Sequence, residues 1–240
     1  MTVVQQETVA LPAPRRKGAM SVEECIAARR SRRAYASDPV TLAELGQLLW
    51  AAQGITGPEG QRTAPSAGAL YPLELYVSAS RVGGLAPGIY KYSPENHDLT
   101  LHIAGDRRRE LTALAKDQDC MRFSACAILF AAVFERTASK YADRALRFVC
   151  MEVGHAAENM CLQATALGLG TCVVGAFEPA ELRREVQLPK QEEPVSMLTV
   201  GRRAWAGRRC CLTHSNRVCF NPQSSRSYWS VGEKRSLNAH

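Results

Sequence analysis

A chain of 240 residues with 46% apolar composition can bury one substantial core, so a single compact domain is the default expectation. Its longest apolar run, from Cys126 to Phe134, is too short to cross a bilayer, and the N-terminus lacks the charged-then-apolar pattern of a secretory signal, so a cytoplasmic protein without membrane partners is expected. The net charge of +7 would suit a nucleic-acid partner, but residues 1–20 and the last 34 residues carry it, and the neutral segment between them argues against one.

Residues 1–20, with Pro12, Pro14 and Arg15-Arg16-Lys17, have no apolar periodicity and are expected to form a flexible arm. Ser21-Val-Glu-Glu24 has the spacing of a capping box, and an amphipathic helix follows to about Arg30. Thr41-Leu-Ala-Glu44 repeats the device before a second helix to about Gln53, which Gly54, Gly57, Pro58 and Gly60 stop. From Leu73 to Ala79 apolar and polar residues alternate as in a half-buried strand, and Gly88 to Tyr92 and Leu99 to Ile103 read as a hairpin. Asp106 opens a helix to about Lys116, and Cys126 to Phe134 reads as a strand buried on both faces.

The longest helical pattern runs from about Asp143 to Leu167, with Leu146, Val149, Val153, Ala157, Met160, Ala164 and Leu167 on one stripe. A strand at Thr171 to Val174, a helix opened by Pro179 and a strand at Ser196 to Val200 complete the domain. Helices followed by a mostly antiparallel sheet with interspersed helices indicate an α+β domain over residues 21–206. Residues 207–240, basic and Ser-rich, are expected to form an extended or poorly ordered tail.

Three segments have the residue types that chemistry needs. Arg29-Arg30-Ser31-Arg32-Arg33 offers four permanently charged forks and a hydroxyl at the end of the first helix, which suits a phosphate, a solvated basic surface or a nucleic-acid patch. Ala64-Pro-Ser-Ala-Gly-Ala-Leu-Tyr-Pro72 has small residues that let a planar ligand approach the backbone, though an ordinary turn would use the same residues. Gly168-Leu-Gly-Thr-Cys-Val-Val-Gly-Ala-Phe177 begins like a dinucleotide fingerprint, but the third glycine position is Val173 and a helix precedes it, so that signature fails. The Gly175-Ala176 amides remain available to a ring nitrogen or carbonyl.

At these places the chain resembles the nitroreductase-like FMN oxidoreductases, and specifically their SagB-type dehydrogenase branch. The likeness covers roughly residues 20–203. It rests on ARRSRRAY at 28–35, LLWAAQGIT at 48–56, PSAGALYPLELYV at 65–77, GIYKY at 88–92, KYADRALRF at 140–148, EVGHAAENMCLQATALGLGT at 152–171, VGAFE at 174–178 and LTVGR at 198–202. The resemblance implies a nitroreductase-like fold, a homodimer with the long helix in its core, and FMN held at the subunit interface. By position it implies that Arg29, Arg30, Ser31 and Arg33 hold the phosphate and ribityl chain, that Ser66, Ala67 and Gly68 line the ring, and that Gly175 and Ala176 face its N5 edge. A further phosphate contact after the last strand would fall on Arg208 or its neighbour Arg209. NAD(P)H is the electron donor the reductases of this family imply, with a small organic molecule as acceptor.

Lys140-Tyr141 matches the pair that serves substrate deprotonation in the azoline dehydrogenases, which aromatise thiazolines and oxazolines in modified peptides. A lysine desolvated near a flavin can reach a usable pKa, whereas a surface pair before a helix would look the same in sequence; Ala142 stands where the family pattern has glycine. His155 with Glu152 and Glu158 has helical spacing that a metal could use, but a histidine satisfied within its helix is the simpler reading. Cys210, Cys211, His214 and Cys219 offer zinc ligands only on paper, since adjacent cysteines in an aperiodic tail do not make a site, and no metal is expected. Nine cysteines, an odd number of which seven sit singly, read as reduced thiols. The functional reading is therefore an FMN-dependent oxidoreductase, with azoline dehydrogenation as the alternative and a non-enzymatic nucleic-acid or anion-binding module as the competitor from another class.

Overall fold

The computed structural model describes residues 7–204. In chain order the elements are β1 (Thr8–Ala10), α1 (Val22–Ala28), β2 (Val40–Thr41), α2 (Leu42–Gln53), β3 (Leu73–Ala79), β4 (Val82–Gly83), β5 (Gly88–Ser93) and β6 (Asp98–Ala104). There follow α3 (Arg108–Leu114), α4 (Asp119–Phe123), β7 (Cys126–Ala132), α5 (Phe134–Tyr141), α6 (Ala145–Ala166), β8 (Leu169–Val174), α7 (Pro179–Glu185) and β9 (Glu193–Arg202). Seven strands form one sheet in the order β1-β6-β5-β3-β7-β9-β8, every neighbouring pair antiparallel, and β2 and β4 make a short parallel pair. The fold is α+β, as the alternation of patterns along the chain indicates.

Both capping boxes form. Glu24 N donates to Ser21 Oγ at 3.1 Å while Ser21 N donates to a Glu24 carboxylate oxygen at 2.7 Å. At α2 the corresponding distances are 3.2 and 2.9 Å. The sheet is covered on both faces because alternate residues of its central strands point opposite ways. Ile128 and Phe130 of β7 join Leu45, Leu48 and Leu49 of α2 and Val149, Val153 and Met160 of α6 in one core layer. Ala127, Leu129 and Ala131 join Leu111, Met121 and Leu182 in the other.

Four local expectations are corrected. Thr8–Ala10, placed by sequence in a flexible arm, pair with Asp98–Thr100 as an edge strand, and Leu11 behind them is buried. A three-residue strand is too short to display a period of two. The helix expected to reach Arg30 stops at Ala28, because Arg29 leaves helical geometry at φ −58°, ψ 128°. Phe134 belongs to α5 and not to the preceding strand, whose ladder closes where Val133 N donates to Pro72 O at 2.8 Å. Leu146, assigned to the buried stripe of the long helix, is 62% exposed. The expected tail at residues 207–240 lies outside the described residues.

The extended segment after α1 runs alongside β8. Ser31 bridges Thr171 in parallel fashion, and Arg32 N donates to Thr171 O at 2.7 Å. The approach is close enough to demand glycine on the sheet: a Cβ at Gly170 would lie 2.9 Å from Arg32 Cβ, and one at Gly201 would lie 2.7 Å from Tyr35 Cγ. Tyr35 then anchors the segment through its hydroxyl, 2.7 Å from Thr199 Oγ1.

Candidate active site

The loop between α2 and β3 is tightly wound. Gly68, Ala69 and Tyr71 all take left-handed backbone, at φ 66°, 55° and 44°, and the alanine and tyrosine hold it only because the loop is cross-braced. Tyr71 N donates to Ser66 Oγ at 2.9 Å, and Ala69 N to Ser66 O at 3.1 Å. The Arg62 guanidinium lies over the Tyr71 ring, 4.7 Å from its centroid. Arg136 of α5 donates to Tyr71 O at 2.9 Å and to Glu74 at 2.6 Å, which ties the loop to the helix that ends in Lys140-Tyr141.

That tie brings two of the predicted groups together. A Cβ on Gly68 would sit 3.0 Å from Tyr141 Oη and 3.2 Å from Lys140 Nζ, so the absence of a side chain at Gly68 is what admits both heads. Tyr141 stacks edge-on against Phe148 with centroids 4.7 Å apart, and Arg144, which the sequence reading passed over, places its guanidinium carbon 6.0 Å from the Tyr141 ring. Ala142 takes φ 48°, ψ −123°, backbone that glycine adopts more readily than alanine.

Beneath the loop lies Glu152 of α6, only 2% exposed. Its carboxyl faces the Ser66 side chain, and its Oε1 has no hydrogen-bond partner among the described residues. Burial raises its pKa to about 7, with the Ser66 hydrogen bond and the Arg62 charge opposing that shift in part. Glu192 shows the contrast: equally buried, it meets Lys91 Nζ at 2.8 Å and the Tyr76 hydroxyl at 2.8 Å. His155 is exposed on α6 while Glu152 is buried, so the two do not share a face.

The arginine segment forms a second group. Arg29 Nε pairs with Glu158 of α6 at 3.1 Å, and Arg30 folds back onto the carbonyls of Ala27 and Arg29. Arg32 and Arg33 have no carboxylate partner among the described residues. β8 carries the chain from Thr171, beside Ser31, to the exposed Gly175 and Ala176, four residues or ~13 Å further on. A Cβ on Gly175 would meet nothing within 4 Å, so open space faces this backbone. Arg203, after the last strand, is engaged with the carbonyls of Leu169 and Thr165, and Arg208 lies outside the described residues.

Within one chain, then, Ser66, Ala67 and Gly68 meet Lys140 and Tyr141 above Glu152, and Arg29–Arg33 share β8 with Gly175–Ala176. Among the described residues no hydrogen bond or ion pair joins the two groups. α6 spans them, contributing Glu152 to the first and Glu158 to the second, ~9 Å apart along its axis. Glu152, Arg62 and Arg136 were not singled out as site residues from sequence; a glutamate among the apolar positions of the longest helix was the one available signal.

The Nitroreductase family model matches residues 26–202. A Methanocaldococcus jannaschii protein that bears a nitroreductase name is 43% identical over 184 residues, covering 77% of this chain and 92% of its own length. A Ralstonia eutropha structure that also bears a nitroreductase name superposes with a TM-score of 0.73 at 30% identity, covering 82% of this chain and 90% of that one. The Escherichia coli microcin synthetase McbBCD complex with truncated pro-MccB17 bound shares the fold, with a TM-score of 0.62 at 21% identity over 82% of this chain and 78% of that one.

Proposed function

This chain belongs to the nitroreductase family, and we propose on that basis that it is an FMN-dependent oxidoreductase that moves hydride equivalents to or from a small organic substrate. The observation that carries the reading is the convergence of the small-residue loop at Ser66–Gly68 with Lys140 and Tyr141; a second group, the cationic segment and an open backbone stretch, shares one strand. The residues fit the cofactor chemically. Arg33, with no carboxylate partner among the described residues, together with Arg29, Arg30 and Ser31, supplies charge and donors for a phosphate. Ser66, Ala67 and Gly68 have side chains small enough to let a ring approach the backbone, and Gly175 and Ala176 offer amides to the ring edge.

When bound, FMN supplies the two-electron chemistry itself. The chain's residues hold it, keep water from one face and handle the accompanying proton at Lys140 Nζ and Tyr141 Oη. We place the two groups in one site by pairing two copies of the chain. Val22 and Ile26 of α1 and Leu146 and Met151 of α6 are each more than half exposed, apolar side chains that a second copy would cover. A homodimer lets the arginine segment of one protomer face the ring loop of its partner.

The Lys140–Tyr141 pair favours a second reading, dehydrogenation of an azoline in a modified peptide. The FMN-loaded protein assayed with NADPH and a quinone, beside the same protein given a thiazoline peptide and oxygen, separates the two. We expect turnover of the quinone at the expense of NADPH. Turnover of the peptide alone would assign the second reading, and turnover of neither would remove both substrate classes.

A further inference from the structure

Glu152 is the chain's one buried carboxyl among the described residues with an oxygen that has no hydrogen-bond partner and lies against a predicted ligand-binding residue. The other deeply buried glutamate, Glu192, is neutralised by Lys91. No cation lies within ion-pair distance of Glu152 among the described residues; the guanidinium that faces it, Arg62, is taken by Gln53 Oε1 at 2.9 Å and Glu95 at 3.2 Å. Leaving a carboxylate buried and unpaired is costly, whereas the neutral acid loses little there.

The hydroxyl of Ser66 makes the protonation state matter to a ligand. Ser66 Oγ already accepts from Tyr71 N. If Glu152 is an acid, it donates to Ser66 Oγ, both lone pairs of that oxygen are then in use, and the Ser66 O–H is turned outward as a donor. If Glu152 is a carboxylate, it accepts, and Ser66 must spend its only proton inward. The titratable and charged groups around this pair are Arg62, on the segment before β3, and Lys140 and Tyr141, which close on Gly68 from α5.

We propose that Glu152 is a positioning residue that acts through Ser66: its proton sets whether the Ser66 hydroxyl donates toward the ring-binding face, so that binding of a ring with acceptor carbonyls there depends on one proton. The inference rests on the reading that Ser66–Gly68 lines a flavin ring. Its pH range follows from burial, which moves the Glu152 pKa up to about 7, within reach of cellular pH.

The test uses riboflavin as the probe, because its lack of a phosphate removes a group that titrates near pH 6. Its affinity for the full-length protein is measured by fluorescence quenching across neutral pH. Wild-type affinity should fall about tenfold as pH rises through ~7, the loss that a one-unit pKa increase on binding produces. Glu152→Gln, whose amide donates to Ser66 as the acid does, should bind as wild type does at low pH and stay flat. Ser66→Ala should bind more weakly at low pH and also stay flat. A flat wild-type profile, or a Glu152→Gln profile that still falls with pH, overturns the proposal.

A second measurement separates this proposal from the cofactor assignment. The carboxyl ¹³C resonance of Glu152 is titrated in the flavin-free protein, with Ser66→Ala beside it. A midpoint near neutrality that moves in Ser66→Ala supports the coupling even if no flavin binds, an outcome that would count against the functional reading alone. A midpoint in the ordinary carboxylate range overturns the coupling even if flavin binds.

Discussion

Lys140→Ala is expected to lower kcat by roughly 10²-fold while the protein retains its full complement of FMN, the lower end of what a positioned acid–base group contributes. Its ammonium comes within 3.2 Å of the point where a Gly68 Cβ would stand, on the face of the loop assigned to the ring, and no carboxylate among the described residues pairs with it. Hydride transfer to or from a neutral substrate leaves a charge that one proton must compensate, and Lys140 Nζ and Tyr141 Oη are the two groups at hand. Tyr141→Phe keeps the edge-on contact with Phe148 and removes only the hydroxyl, so its loss in kcat isolates that oxygen. Stopped-flow reduction and reoxidation of the bound chromophore, read separately, locate the affected half-reaction. An unchanged kcat in both variants would return the pair to the rim of the site.

Arg33→Ala is expected to weaken FMN binding by about ten- to a hundredfold, the value of one or two charge-assisted hydrogen bonds, and to leave riboflavin binding unchanged. Arg33 is chosen over Arg29 because Arg29 already pairs with Glu158, and its removal would disturb the contact of the segment with α6 as well. Isothermal titration with both flavins makes the comparison internal to one protein. Equal losses for FMN and riboflavin would mean that the segment supports the ring or the fold and does not hold the phosphate.

Much of the scaffold was legible before the structure. Both capping boxes are local devices written within four residues, and β7 announces itself by an unbroken apolar run, all seven of whose strand residues the structure buries. The long helix showed its inward stripe at Val149, Val153, Ala157, Met160 and Ala164. Leu146 broke that pattern, since periodicity reports that a face is apolar and not what covers it. β1 and α5 were missed for different reasons: one is three residues long, and the other spans only two turns, with the first residue of its Phe134, Ala138 and Tyr141 stripe read as the end of the preceding strand.

The site was legible in its residue types and not in its geometry. The meeting of Gly68 with Lys140 and Tyr141 spans more than 70 positions of sequence and depends on Arg136 reaching back to Tyr71 O. Glu152 drew notice only beside His155, because a glutamate within a helix is usually solvated. Its burial under Ser66 is a tertiary fact, produced by packing α6 beneath the loop.

The central claim, that this chain binds FMN with its ring on the Ser66–Gly68 loop, is tested most directly by titrating the full-length protein with FMN and following visible absorbance and bound stoichiometry, with Gly68→Val in parallel. Saturation at one FMN per chain is expected for the native protein, with marked weakening in Gly68→Val, whose side chain would occupy the space taken by the Lys140 and Tyr141 heads. A native protein that binds no FMN, or a Gly68→Val variant that is folded and binds it equally well, would contradict the account.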